Sequence, residues 1–388
     1  MSNSRCNFEN EMAGLYIHIP FCRKACFYCN FHFSVHTGAW QEMLQAILRE
    51  AETEAPHWSD VRFDSIYFGG GTPSIIPAEA LADFIRALKS RFHLAENLEF
   101  TLEANPDDVD VQRIALWQEA GVNRVSLGLQ SFSDAELTWM NRAHHAAQSE
   151  AALNLLLRAG IQSVNVDLIY GGPLLSDEDW VSALHKVFSS GADHLSAYAL
   201  TLEADTPYKK LVRQGKYAPP DEERQARQFD LLMEAAAAAG WEHYEISNLC
   251  KPGSRAKHNS AYWFNKPYLG LGPSAHSYRN QRRMWNVSDN KKYMQQAEAG
   301  HWQRSEEFLN ETTMLNELLM TRIRLSEGLR LEEAEQLFPG FSAQNFPAMR
   351  GFVARGWAVL ESDVFRLQAP GRHFADAIAA ALMQVEGD

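Results

Sequence analysis

Cys22-Arg-Lys-Ala-Cys26-Phe-Tyr-Cys29 gathers three of the chain's five cysteines into one short loop. A C-x3-C-x2-C triplet offers three thiolates to a centre with more than three ligand positions, so one corner stays open. Soft thiolates suit a [4Fe–4S] cluster, tuned by local hydrogen bonding and exposure. A cluster iron without a protein ligand binds and reduces a small molecule. Two plainer readings compete with it. A zinc site takes a fourth Cys or His nearby, and His18, His32 and His36 are close in sequence. The C-x2-C half has the spacing of a redox dithiol, but Cys22 upstream does not belong to one. Cys6 and Cys250 stand alone, which argues against structural disulfides.

Outward from the triplet, short apolar strand-like runs alternate with helix-length segments. The expected strands are Leu15–Ile19, Ser65–Phe68, Leu98–Glu103, Arg124–Gly128, Ser163–Ile169 and His194–Leu200. The expected helices are Ala39–Thr53, Ala78–Arg91, Val109–Ala120, Ala147–Ala159 and Trp180–Ser189; Leu81, Phe84, Ile85 and Leu88 share one face. Alternating β and α implies a parallel sheet with right-handed crossovers. About six units fall short of the eight of a closed barrel, so the expected fold is α/β, a partial (β/α)6 TIM-like barrel.

The functional site of such a barrel lies at the C-terminal ends of its strands. There the cysteine loop follows the first strand, Phe68-Gly-Gly-Gly-Thr-Pro73 the second, and Glu103 ends the third. Three glycines let backbone approach a ligand closely, and exposed N–H groups at a turn favour a carboxylate or phosphate. Glu103 suits a hydroxyl or ammonium group; a helix-start acid is the plain alternative.

The pattern changes near Tyr293, dividing the chain into 1–292 and 293–388. Helices Met314–Ile323, Leu331–Leu337 and Phe346–Arg355 precede Gly356-Trp-Ala-Val-Leu-Glu361 and Phe365-Arg-Leu367, a two-stranded wing around Ser362-Asp363. Three helices and a wing read as a winged-helix-like α+β domain. With 36 basic against 49 acidic residues the net charge is −13, and no lysine follows Lys292. That balance excludes nucleic acid as the main partner and gives the C-terminal domain a docking or lid role. Hydrophobic residues at 46% supply a sizeable core. Met1–Cys6 has no apolar signal-like run and no stretch is long enough to span a membrane. Unpaired thiols fit a reducing cytoplasm.

Taken together, these motifs resemble the radical S-adenosylmethionine superfamily over about the first 300 of the 388 residues. The resemblance implies a [4Fe–4S] cluster on Cys22, Cys26 and Cys29. Its open iron chelates the amino and carboxylate groups of S-adenosyl-L-methionine, and an electron from the cluster breaks a carbon–sulfur bond. Closer similarity is to the oxygen-independent coproporphyrinogen oxidase subgroup. Tyr16-Ile-His-Ile-Pro-Phe-Cys22 resembles its lead into the cluster and Ser126-Leu-Gly-Leu-Gln130 its glutamine strand. Asn141-Arg142 resembles its arginine, and Asn165-Val-Asp167-Leu-Ile-Tyr-Gly its aspartate. This implies that Tyr16, Gly70, Gly71, Thr72 and Glu103 contact S-adenosylmethionine. Gln130, Arg142 and Asp167 would bind polar parts of the nucleoside. On the residues alone, Asp167 is equally a carboxylate at a helix N-terminus and Arg142 a surface ion pair.

Within the subgroup the chain departs from the oxidase, which continues the triplet as C-x-C where this chain has Cys29-Asn30-Phe31. The oxidase also has a longer segment closing over substrate, against Met1–Gly14 here. His258-Asn259-Ser-Ala-Tyr262-Trp263 resembles the H-N-x-x-Y-W motif of the subgroup's haem chaperones, and Leu271-Gly-Pro-Ser-Ala-His276-Ser continues in register. The resemblance implies haem held through His258, with Tyr262 and Trp263 flat against the macrocycle and His276 as a second candidate. Without it, a histidine beside two aromatics is a packed loop and Cys250 a buried thiol. The implied role is a carrier with no catalytic residues assigned. It passes haem to haem-accepting proteins, membrane-bound ones included, and leaves room for a homodimer. The alternative is an enzyme: radical oxidative decarboxylation of coproporphyrinogen propionates.

Overall fold

Strands whose residues alternate between apolar and polar build the centre of this protein. A computed structural model describes residues 11–384, so the readings on Cys6 and the short leading segment lie outside the described residues. Strands β1 (Glu11–Ile19), β2 (Val61–Gly70), β3 (Leu94–Ala104), β4 (Arg124–Gln130), β5 (Ser163–Tyr170) and β6 (His194–Ala199) pair in chain order, all parallel. Helices α1 (Trp40–Glu54), α2 (Ala78–Lys89), α3 (Val111–Ala120), α4 (Asp134–Trp139), α5 (Ala146–Arg158) and α6 (Asp177–Ser190) lie in the crossovers. This is the expected (β/α)6 unit, with boundaries close to those read from sequence.

Side chains on a strand point alternately to its two faces. On the outer face Leu15, Ile17, Ile19, Ile66, Phe68, Phe100, Leu102, Val125, Leu127, Val164, Val166 and Leu195 are essentially inaccessible and meet the helices. Each such side chain contributes about 1.5–3 kcal/mol over its exposed state. The inner face is polar: Tyr16 and His18, Ser65 and Tyr67, Thr101 and Glu103, Arg124 and Ser126, Asn165 and Asp167, His194 and Ser196. Register keeps these in rows, with Tyr16 beside Tyr67 beside Thr101, and Ser126 beside Asn165 beside His194. A one-residue slip would bury the polar set against the helices, so the alternation fixes register strongly.

The sheet extends past the six strands on both sides. β7 (Glu242–His243) and β8 (Asn248–Cys250) add antiparallel beyond β6. Beyond β1, β9 (Tyr268–Leu271) is parallel, and β10 (His276–Arg279), β11 (Arg282–Trp285) and β12 (Ser305–Phe308) continue antiparallel. The order β12-β11-β10-β9-β1-β2-β3-β4-β5-β6-β8-β7 has two different ends, so the barrel is open. These six extra strands are two to four residues long, too short for a periodic signal.

The C-terminal domain has its own core, in which Leu315, Leu319, Leu329, Phe341, Met349, Phe365 and Ile378 are buried. Helices Glu311–Arg322, Leu331–Leu337 and Phe341–Ala354 precede the wing, as expected, and Ala375–Leu382 adds a further helix. Strands β13 (Leu329–Arg330), β14 (Ala358–Glu361) and β15 (Val364–Leu367) form an antiparallel sheet of three. Ser362 and Asp363, with φ of 49° and 61°, turn the hairpin. Tyr293 and Ala297 belong to the large core and β12 to the large sheet. We therefore place the division between the two units after Leu309 rather than at 292/293.

Candidate functional site: the cysteine loop and the polar chamber

The cysteine loop is held in shape by bonds that do not involve its thiols. Cys22 N–H donates to the Ser34 carbonyl at 3.0 Å and Ser34 N–H to the Pro20 carbonyl at 2.8 Å. Phe27 N–H donates to the Met140 carbonyl at 3.1 Å, and Asn141 Nδ2 to the Ala25 carbonyl at 2.8 Å. Arg23 pairs with Asp107 at 3.2 Å and also with Asp108. Second contacts reach the sulfurs themselves. Thr72 Oγ1 lies 3.5 Å from Cys22 Sγ, and Arg142 Nη1 lies 3.3 Å from Cys26 Sγ. Burial pushes the Cys22 thiol up to about 12, the Thr72 hydroxyl working against it, and the Cys29 thiol up to about 11. A metal centre that takes these cysteines as thiolates releases their protons.

That donor set fits an iron–sulfur cluster better than a single ion. Among the described residues, no three His, Cys, Asp or Glu side chains converge to hold one metal ion. Zinc needs four ligands meeting at a point, whereas a cluster takes each thiolate on its own iron. Two of the three histidines that a zinc site would recruit are engaged: His18 bonds Tyr16 Oη at 3.0 Å and the His32 carbonyl at 2.8 Å, and His32 Nε2 bonds Asn290 at 2.7 Å.

The glycine loop is shaped by close approach rather than by an exposed nest of N–H groups. A Cβ on Gly71 would stand 2.6 Å from the Phe21 carbonyl oxygen, and one on Gly70, at φ 102°, 2.4 Å from the His18 ring. Gly71 N–H donates to the Ile19 carbonyl and Thr72 N–H to the Phe21 carbonyl, at 2.9 and 2.7 Å. Gly70 N–H bonds the Glu103 carboxylate. The expected anion hole is therefore not there: the Gly71 and Thr72 donors clamp the end of β2 to the start of the cysteine loop, and the Gly70 donor is taken by Glu103.

Beside this clamp opens a cavity of about 530 Å³, lined by Tyr16, His18, Gly70, Glu103, Tyr262, Tyr268, Ser274 and His276. Asn30, Phe31 and His32 from the cysteine loop complete it. Glu103 accepts from Tyr67 Oη at 2.7 Å. Burial pushes its carboxyl up to about 7, the Tyr67 bond opposing this and the nearby Asp167 adding to it.

Residues 16–187 match the radical SAM superfamily. The heme chaperone HemW of Mycobacterium tuberculosis is 34% identical over 378 residues, covering 95% of this chain and 94% of that protein. The chain belongs to the HemW family. A mouse member of the same superfamily, radical S-adenosyl methionine domain-containing protein 1, mitochondrial, is 34% identical over 96% of this chain and 87% of its own. The solved structure of the coproporphyrinogen III oxidase HemN from Escherichia coli superposes with a TM-score of 0.83 at 21% identity, over 97% of this chain and 91% of that one. That likeness is one of fold. As a radical SAM protein of the HemW family, the chain uses a [4Fe–4S] cluster and S-adenosylmethionine.

Against this HemW-family frame, the residues expected from sequence divide into groups. Tyr16, Gly70 and Glu103 line the cavity. Gly71 and Thr72 clamp the cysteine loop. Arg142, expected on a nucleoside, instead touches Cys26 and bonds Asn105 Oδ1 at 2.6 Å and the Gly128 carbonyl at 2.8 Å. Gln130 ends β4 in the left-handed region at φ 65°, its amide near Gly128. Asp167 accepts from Ser126 at 2.9 Å and Asn165 at 2.7 Å inside the barrel.

His258 departs furthest from expectation. It sits on the short helix Lys257–Trp263, whose first N–H groups are capped by Glu99 from β3 at 2.7 and 2.9 Å. Its Nδ1 bonds Ser65 Oγ at 2.9 Å, its Nε2 bonds Tyr262 Oη at 3.0 Å, and its ring stacks on Tyr67 at 5.0 Å. Only 2% of the residue is exposed. Both ring nitrogens are bonded within the protein, so in this structure His258 is a buried positioning group that holds Tyr262 and Ser65.

Sequence reading passed over Tyr67 and Arg124 and weighed His18 only as a zinc ligand. Their signal was period-two polarity within strands that otherwise read as apolar.

Proposed function

We propose that this protein binds haem and hands it to acceptor proteins, using its [4Fe–4S] cluster and S-adenosylmethionine in that task. What carries the reading is near-full-length identity to proteins named heme chaperone HemW, at 34% against 21% for the oxidase of the same fold. Fold alone does not transmit an activity. Phe31 supports the same side, since it stands where the oxidase carries a further cysteine and is 65% exposed beside the cluster loop. The reading extends to membrane-bound acceptors, to action in the cytoplasm and to a homodimer. Among the described residues no helix is long and apolar enough to cross a membrane.

The discriminating experiment is anaerobic. Reconstituted protein should take up haem and, given coproporphyrinogen, S-adenosylmethionine and a reductant, should yield no protoporphyrinogen. Product formation at enzyme-like rates would move the assignment to the oxidase.

In this reading Cys22, Cys26 and Cys29 hold the cluster, with Arg142 and Thr72 steadying their sulfurs. The cluster supplies an open iron and an electron. Tyr16, Gly70 and Glu103 line the chamber in which S-adenosylmethionine sits, and Gly71 and Thr72 keep its edge in register. Gln130 and Asp167, assigned to polar parts of the nucleoside, end or lie on the neighbouring strands β4 and β5. Ionised Glu103 accepts a hydrogen bond from the ligand's amino group, so binding strengthens as pH rises through about 7, where this carboxyl loses its proton. Tyr67→Phe removes the hydrogen bond that favours the carboxylate, and the midpoint of that dependence should move up by about one unit. Calorimetric titration with S-adenosylmethionine from pH 6 to 8.5 measures it. A midpoint that stays or falls contradicts the role given to Glu103.

A further inference from the structure

With His258 committed to Ser65 and Tyr262, the chamber must supply another group if haem iron is to be ligated here. Three histidines line the cavity: His18, His32 and His276. His18 uses both ring nitrogens within the protein, and His32 uses Nε2. Among the described residues no hydrogen bond is made to either ring nitrogen of His276.

His276 opens β10, directly across from Trp285 on β11, and its ring lies parallel to that indole at 5.6 Å and 18°. The indole covers one face of the imidazole and steadies its plane. Ring nitrogens lie on the imidazole's edge, which the stacking leaves uncovered. The side chain is exposed and lines the cavity.

The sheet face around it is aromatic. Tyr268 on β9 and Tyr278 on β10 pair in register, their rings 6.2 Å apart, and Tyr262 meets Tyr268 edge-on at 4.7 Å. A second cavity of about 310 Å³ shares the walls Tyr262 and Tyr268 with the first and is lined also by Met320 and Thr321 of the C-terminal domain. Chambers of this size hold cofactor-sized ligands, with apolar walls for the body and few polar groups for orientation.

We infer that His276 is the axial ligand to haem iron, and that the macrocycle lies in the chamber against Tyr262 and Tyr268. The inference rests on the haem-chaperone reading and adds to it the iron ligand. Burial, and then the Arg283 charge on the neighbouring strand, hold the His276 imidazole below the usual histidine range, so it is neutral and ready to bind metal at pH 7. Because Tyr16 and Glu103 line the same cavity, haem on His276 shares that cavity with the region assigned to S-adenosylmethionine.

The test is titration of anaerobically reconstituted full-length protein with ferric haem, read by the Soret band and by electron paramagnetic resonance. His276→Ala should weaken haem binding about tenfold or more and remove the imidazole-ligated spectrum. Adding free imidazole should restore that spectrum, which a merely misfolded variant would not do. His258→Gln, which keeps a polar group toward Ser65 and Tyr262, should retain it. A His276→Ala protein with the wild-type Soret position and affinity overturns the inference. So does loss of the imidazole spectrum in His32→Ala with its survival in His276→Ala. A wild-type protein that takes up no haem overturns the chaperone reading itself, a failure seen before any variant is made.

Discussion

Replacing Cys22, Cys26 and Cys29 together by serine should abolish the broad iron–sulfur absorbance and cut bound iron and sulfide to below roughly a tenth of wild type. Serine keeps the size and loses the softness: its hydroxyl neither ionises at neutral pH nor matches iron–sulfide chemistry. The fold should survive the change, because the loop is held by Ser34, Pro20, Met140, Asn141 and the Arg23–Asp107 pair. Circular dichroism of the apo variant should therefore match that of the apo wild type. Cys250→Ser, at a buried site between β6 and β7, should retain the full cluster. Iron and sulfide analysis after anaerobic reconstitution decides the matter. Undiminished cluster in the triple variant, or its loss in Cys250→Ser, would refute the ligand set.

The same loop shows why this fold was legible from sequence and where legibility stopped. Leu15, Ile17 and Ile19 mark β1 because the outer sheet face is apolar throughout, and Leu81, Phe84, Ile85 and Leu88 mark α2 for the same reason. Burial imposes periodicity, and periodicity can be read. Tyr16 and His18 share β1 with them, yet their meaning depends on Tyr67, Glu103 and His258, which come from other elements. Side-chain partners across a sheet have no local signature. His258 illustrates the cost: a motif with three aromatic-type residues reads as a haem platform, whereas Ser65 on β2 claims one nitrogen and Tyr262 the other. The glycine loop misled in a similar way. Its freedom serves the approach of Phe21 and His18, not the approach of an anion. Strands β9 to β12 were missed because Tyr268–Leu271 and its neighbours are four residues long and gain their order from β1.

Glu50→Ala should lower stability by about 3–5 kcal/mol in urea or thermal unfolding, although no atom of Glu50 lines the chamber. Glu50 is a wholly buried carboxylate on α1. Burial works against its charge, and the donors around it answer that cost. Arg304 Nη2 approaches at 2.7 Å, Asn286 Nδ2 at 2.7 Å and Gly272 N–H at 2.8 Å, with the Tyr293 hydroxyl closing the set. Alanine would strand all of these, and the unpaired Arg304 charge dominates the penalty. Glu54 still neutralises part of that charge, and the Arg304 side chain is 16% exposed, so the lower end of the range is expected. The double variant Glu50→Ala with Arg304→Ala should lose less than the sum of the two single losses, since the Glu50–Arg304 pair is then removed whole and only the contact of Arg304 with Glu54 is lost besides. A loss below about 1 kcal/mol for Glu50→Ala would show that water replaces the lost donors' partner and that the knot is ornamental. The knot also bears on function through Gly272. Its backbone sits where a Cβ would stand 2.5 Å from the His18 carbonyl oxygen, and it begins the turn that carries Ser274 and His276 into the cavity wall. Releasing that turn should weaken haem binding in Glu50→Ala while the iron–sulfur absorbance stays at its wild-type level, because the cysteine loop is anchored through other residues.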